Sequence, residues 1–300
     1  MNRRMLWILA TIAAAATARA GVEDDIAALI PKLADANVGA RYEPQMALQA
    51  IAMAAAKPGA PAQADRKTVA TLLAVRAADA AVPQPARVWL LRQLELIGDA
   101  ESVPALASAL ADSDGEIRET ARRALERNPS AEAGKVLREA LAKGGDASWR
   151  IGLVNSLGQR KDAAAVAAIA SALKDAAVAK PAARALASIA SADALSALQS
   201  AYDGKDPALP DALVAAAARA GAVLVLQKIL APGNPAPARA AALNELVRAD
   251  GAAATKRIPE ALTDPDRQVR RAAIGAAAWL KNKELTASLA ALLPRLPADA

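Results

Sequence analysis

Four residues at equivalent places in a repeated helix, Arg92, Arg123, Asn155 and Arg184, are the strongest candidates for binding chemistry in this chain. The same place is then taken by Val214, Asn244 and Gly275. Each of the first four side chains carries N–H donors, and helices that pack side by side stand about 8–10 Å apart. A row of donors at that interval would grip an extended peptide through its carboxylates or carbonyls. The plainer alternative is an ordinary solvated helix face, with Arg123 paired to Glu119 at i,i+4 and Arg92 to Glu95 at i,i+3. Arg184 has no acidic residue three or four positions away, which favours a free guanidinium there.

Catalytic chemistry is narrowed by what is missing. The 300 residues contain no Cys and no His. A thiolate nucleophile, an imidazole base, a disulfide framework, the usual zinc ligands and haem attachment are therefore ruled out. Carboxylate pairs, Lys and Tyr remain, and none occurs in a recognisable catalytic setting. The reading is a non-enzyme with no cofactor and no metal.

The elements that position the donor row are read from a recurrent apolar pair: Ala109-Leu110, Ala140-Leu141, Ala172-Leu173, Ala201-Tyr202, Ile229-Leu230, Ala261-Leu262 and Leu292-Leu293. Successive pairs are separated by 31, 32, 29, 28, 32 and 31 residues. Such a period marks units that bury their apolar faces only against neighbouring units. The pairs are expected to be the buried stacking positions. Composition agrees with thin helices at short distance, being 54% hydrophobic, largely Ala, and 2% aromatic.

Each period divides into a helix A and a helix B. Val103, Leu106, Ala107 and Leu110 fall at i, i+3, i+4 and i+7 within an A helix over 102–111. Asp112-Ser113-Asp114-Gly115 supplies a turn and a cap, and a B helix over 116–127 follows, with Ile117, Ala121, Ala124 and Leu125 on its apolar side. The same grammar predicts helices near 133–143, 148–158, 162–174, 176–190, 192–202, 207–220, 222–231, 236–249, 252–263, 266–281 and 283–293. Pro181 lies in one of them, near its start or at a kink. Trp149 aligns with Ile117 and is assigned to the core, while Trp89 and Trp279 fall on helix flanks.

These repeats resemble the HEAT-like family, including the bacterial form first associated with phycobilisome lyases. Asp112 precedes Ile117-Arg118 and Asp264 precedes Val269-Arg270, an Asp-to-Arg spacing of six residues both times. The resemblance implies that Asp112, Arg118, Asp264 and Arg270 tie neighbouring repeats together. The middle repeats lack the pair, since Pro181 stands six residues beyond Asp175 and Leu209 six beyond Asp203. The fold expected is all-α, a right-handed α-solenoid of about eight stacked helical pairs. Residues 21–84 read as diverged repeats or a cap and 85–300 as the repeat array. The region 283–300 has no B partner, which leaves capping, self-association or continuation of the array open.

Residues 1–20 read as a separate segment. Arg3 and Arg4, the apolar run from Met5 to Ala16, and Ala18-Arg19-Ala20 have the order of a cleavable signal peptide, with cleavage after Ala20. The run is too short for a membrane span. Removing its three Arg lowers the net charge from +6 to +3. That balance makes no case for nucleic acid, nor does the basic run Arg118, Arg122, Arg123 and Arg127, which Glu116, Glu119 and Glu126 interleave. The functional expectation is a periplasmic or secreted scaffold for protein or extended peptide. An enzyme akin to HEAT-like lyases that attach bilins or HEAT-like DNA glycosylases, and a self-associating spacer, are the alternatives.

Overall fold

The computed structural model describes residues 21–202, 208–280, 283–292 and 294. The expected signal segment and Leu293 of the last apolar pair lie outside the described residues. Within them the chain is helical, with no strand, and it forms two compact units that divide between Lys143 and Gly144.

The first unit contains α1 (21–33), α2 (Tyr42–Ala55), α3 (Arg66–Ala78), α4 (Gln84–Ile97), α5 (Val103–Leu110), α6 (Gly115–Arg127) and α7 (Ala131–Lys143). Here α3 packs on α4 and α5 on α6 as A and B partners, and α4 stacks on α6. The second unit contains α8 (Ala147–Gln159), α9 (Val166–Ala172), α10 (Ala179–Ile189), α11 (Ala192–Ala201), α12 (Ala208–Arg219), α13 (Val223–Ile229), α14 (Ala236–Ala249), α15 (Gly251–Leu262), α16 (Arg267–Leu280) and α17 (Lys283–Leu292). Its B helices α8, α10, α12, α14 and α16 stack in chain order, and α10, α12, α14 and α16 each carry their A helix alongside. Both units are thus built as an all-α solenoid.

Carboxylates and hydroxyls start many of the helices, as the turn sequences suggest. Asp114 accepts hydrogen bonds from the Glu116 and Ile117 amides, Asp146 from Trp149, Ser191 from Ala194 and Asp250 from Ala253. Each satisfies donors that the first helical turn cannot satisfy itself. Pro181 is the third residue of α10, where its missing N–H costs nothing.

The recurrent apolar pair is not the deepest layer of the core. Ala109-Leu110 and Ala261-Leu262 are buried, but Ala140-Leu141, Ala172-Leu173 and Ala201-Tyr202 are only half-buried. The fully buried column lies one turn earlier, at Leu106 and Leu137 in the first unit and Ile169, Leu198, Leu226 and Ile258 in the second. The reason is position along the element: most of the pairs fall in the last turn of their A helix, where the chain leaves the layer for the A-to-B turn. The central turn is flanked by neighbours along its whole length. One further turn back the column is small, with Ser102, Ala133, Ala165, Ala194 and Ala254 all fully buried, so the helix axes can approach closely.

Gly158 shows how tight that approach becomes between B helices. A Cβ built there would lie 2.8 Å from both Cα and Cβ of Ala185, which places the α8 backbone directly on α10. Trp149 is half-buried rather than enclosed; it lies against the turn, since a Cβ on Gly145 would stand 2.8 Å from its Cδ1. At the far end α17 packs on α15 and buries Leu285.

Candidate partner-binding surface

The donor row divides into two kinds of residue. In the first unit the Arg side chains are engaged by neighbours. Arg92 lies over the Trp89 ring, 4.9 Å from its centroid, and its Nη2 is 3.8 Å from Oε1 of Glu116 on α6. Gln84 donates to the other oxygen of Glu116 at 2.8 Å. The Nε of Arg123 donates to Glu119 at 3.1 Å, and Arg127 reaches Glu95 on α4 at 3.1 Å. These exposed pairs contribute little individually, but they occupy the donors with acceptors of the chain itself.

In the second unit the same row is open. Asn155, Arg184 and Asn244 are exposed and carry no hydrogen bond or ion pair among the described residues. Val214 closes the row at α12, where it is buried, and Gly275 leaves open space where its Cβ would be. Between α12 and α14 runs a groove of 510 Å³ with a floor of Val214, Ala215, Ala218 and Ala241. Asp211, which has no partner among the described residues, stands on its wall. A second recess of 230 Å³ between α14 and α16 continues it, sharing Asn244 and Arg248 and adding Gly275 and Trp279.

The groove's two Arg are already engaged. Arg219 donates to the Ala187 carbonyl at 3.2 Å and Arg248 to Glu245 at 2.8 Å. What it offers a ligand is therefore a free amide, a free carboxylate and an indole that is 66% exposed, above a floor of small side chains. That arrangement suits an extended main chain, since an amide both donates to and accepts from a peptide group. Sequence spacing alone points to Arg92, Arg123, Asn155 and Arg184. Asp211 and Trp279 were missed because the period brings out equivalent positions, whereas these two flank the row.

The Asp and Arg residues of the turns form a separate, structural system. Nη2 of Arg87, on α4, is 2.8 Å from Asp112 of the following turn, and Nη1 of Arg150, on α8, is 2.6 Å from Asp175. Arg239, on α14, makes the same pair with Asp264. Each Asp thus holds the Arg of the preceding B helix. Arg118 and Arg270 do something different: Nη1 of each donates to two carbonyls of its own turn, Asp112 and Ser113 in one case, Asp264 and Pro265 in the other. The 150–175 pair shows that a middle repeat keeps the inter-repeat contact although Pro181 replaces the second Arg. A constant separation of 25 residues from Arg to Asp was the signal available in the sequence.

The ionisation of these groups follows from their partners. The Asp114 amide holds the Asp112 carboxyl below its usual range, and the Arg87 guanidinium adds to this against the opposing effect of burial. Arg150 lowers Asp175, and Arg122 lowers Glu119. Arg122 is buried, which alone would push its own value down, but Glu119 and Glu126 outweigh burial and raise it. Carboxylates kept ionised by cations are structural acceptors rather than poised acids.

Residues 70–151 match the family model of HEAT repeats. Over those residues the helical pairs are HEAT-like repeats. No curated protein matches the chain in sequence. Among solved structures, an engineered protein is 21% identical, with 89% of this chain and 81% of that one covered and a TM-score of 0.41. The complex of CpcE and CpcF of phycocyanin lyase from Nostoc sp. PCC7120 is 18% identical, covering 84% and 93%, with a TM-score of 0.40. Human deoxyhypusine hydroxylase in complex with glycerol is 17% identical, covering 87% and 97%, with a TM-score of 0.33.

Proposed function

We propose that this HEAT-like repeat protein is an exported, non-catalytic scaffold that holds an extended segment of a protein partner along the B-helix face of its second unit. The observation that carries the reading is the contrast along the donor row: in the first unit Arg92 and Arg123 are occupied by Glu116 and Glu119, while Asn155, Arg184 and Asn244 are open. A HEAT-like fold suits protein interaction. A chain without Cys or His, whose shifted carboxylates serve Arg and backbone amides, favours binding over catalysis. No helix of the described residues is long and apolar enough to cross a membrane, and export rests on the composition of residues 1–20.

The test is a binding screen of the whole chain against arrayed extended peptides, followed by anisotropy titration of the best binder. Asn244→Leu combined with Trp279→Ala should weaken binding by about tenfold or more, which is roughly 1.4 kcal/mol. Arg92→Ala with Arg123→Ala should change it less than about twofold. The reverse ranking would sink the assignment to the second unit.

A further inference from the structure

The groove between α12 and α14 has a direction, and its two ends differ in charge. Its lining on α12 runs from Asp211 to Arg219 at i, i+3, i+4, i+7 and i+8, and on α14 from Ala241 to Arg248 at i, i+3, i+4 and i+7. Each set is one stripe along its helix, so the groove lies parallel to the helix axes. The two helices run the same way, because α13 packs on both and turns the chain back between them. Asp211 lies in the first turn of α12 and Arg248 in the last turn of α14, so they mark opposite ends.

Asp211 is exposed and has no partner among the described residues. In the register that equates Val214 with Asn244, its equivalent across the groove is Ala241, which brings no charge to meet it. At the other end Arg219 leans back to the Ala187 carbonyl of α10, which leaves Arg248 as the groove's cation. The Arg248 side chain is 72% exposed and uses Nη1 alone, on Glu245, so its Nε and Nη2 are open among the described residues. A pair that exposed is weak, and the free edge of the guanidinium has the fork that takes a second carboxylate.

In the same register Arg248 is level with Ala218, seven residues beyond Asp211. A helix rise of about 10 Å, with roughly 8–10 Å between axes, sets the two charged groups about 10–14 Å apart. An extended chain advances about 3.3 Å per residue and turns alternate side chains to the same side. Side chains four residues apart, at about 13 Å, therefore reach both charges; those two apart fall short at about 7 Å, and those three apart point to opposite sides. The residue midway faces the floor of Val214, Ala215 and Ala218, and Asn244 stands beside the main chain. We propose that the groove selects an extended peptide in which a Lys or Arg lies four residues from an Asp or Glu with an apolar residue midway, the cation on Asp211 and the carboxylate on Arg248. This rests on the groove being the partner's seat and adds which segment it takes.

Anisotropy titration of the whole chain at low ionic strength, with end-blocked labelled peptides, tests it. The core Lys-Thr-Val-Thr-Glu should bind at least about threefold more tightly than its isomer Lys-Thr-Val-Glu-Thr, which has the same composition and the wrong spacing, and salt should shrink the difference. Asp211→Asn should weaken the first core by about threefold and Asp211→Lys by about tenfold. Asp211→Lys should instead prefer Glu-Thr-Val-Thr-Glu, which the unaltered chain binds poorly. Both variants change an exposed residue, so circular dichroism should show helicity kept. Equal binding of the two isomers, or no exchange of preference in Asp211→Lys, would overturn the proposal while leaving the groove a peptide seat. If no extended peptide binds, or Asn244→Leu with Trp279→Ala leaves binding unaltered, the seat itself is wrong and the proposal goes with it.

Discussion

The pair formed by Arg87 and Asp112 gives the sharpest test of what holds one repeat to the next. The two side chains are only 12% and 17% exposed, their N–O distance is 2.8 Å, and Arg87 Nε also donates to the Ala77 carbonyl at the end of α3. Asp112→Asn leaves an oxygen for the Asp114 amide and removes only the charge, while Arg87→Gln removes the guanidinium. A charge-assisted hydrogen bond in such a setting contributes about 1.5–3 kcal/mol, whereas an exposed pair contributes about 0.2–1 kcal/mol. A double-mutant cycle followed by urea unfolding should therefore give a coupling energy of about 1.5 kcal/mol or more at neutral pH. The coupling should also depend on pH. Because the folded-state value of Asp112 is lowered, its contribution is fully present above the unfolded value of about 3.9 and is lost as pH falls from there through the folded value. Asp112→Asn should flatten that part of the stability profile. A coupling below about 0.5 kcal/mol at neutral pH would refute the claim that this contact, and by geometry the 150–175 and 239–264 pairs, ties the repeats.

Further outcomes follow from the packing. Leu137→Ala, in the fully buried column, should cost about 2–5 kcal/mol in urea unfolding, whereas Leu141→Ala, half-buried in the recurrent pair, should cost clearly less; equal costs would contradict the one-turn shift of the core. Gly158→Ala should destabilise by about 1–3 kcal/mol despite the better helix propensity of Ala, because the new methyl meets the Ala185 backbone; a more stable variant by thermal melting would show that the α8–α10 contact is looser than described. Asp175→Asn should lower stability at neutral pH and lose its effect in acid, since Arg150 holds the Asp175 value below normal; a variant equally destabilised at pH 7 and pH 2 would show that charge is not what that Asp supplies.

Helix positions were legible because every repeat states them twice, once in apolar periodicity and once in turn chemistry. The expected 116–127, 133–143 and 236–249 differ from the observed helices by no more than two residues at either end. Depth was less legible. Leu110 and Leu106 differ in burial only through which turn of the helix its neighbours flank, and a periodic pattern treats both as apolar. The inter-repeat contacts were half legible. A six-residue spacing shows an Asp and an Arg near one turn, but the partner of that Asp belongs to the previous B helix, 25 residues away, where only the fold brings it close. Pro181 hid the middle member of the series, because it removed the local Arg without touching Arg150 or Asp175.

The candidate surface was least legible, for a reason that lies in electrostatics rather than in pattern. A row of donors is a binding surface only where the chain has not supplied acceptors, and an acceptor on the adjacent helix is invisible to i,i+3 and i,i+4 spacing. Glu95 was the expected partner of Arg92, yet it is Glu116, one repeat on, that meets Arg92, while Glu95 meets Arg127. These two crosswise pairs between successive B helices engage Arg92 and Glu95 of α4 with Glu116 and Arg127 of α6. In the second unit Asn155 and Asn244 have no hydrogen-bond partner among the described residues, and although Asp211 lines the same groove as Asn244 it does not engage that amide. Substituting an acid into the groove floor, for example Ala241→Glu, would place a further acceptor beside the Asn244 amide. If the open donors are what recognises a partner, this one change should cut peptide affinity by about tenfold while leaving unfolding within about 0.5 kcal/mol. Unaltered affinity would mean that the groove is not where the partner lies.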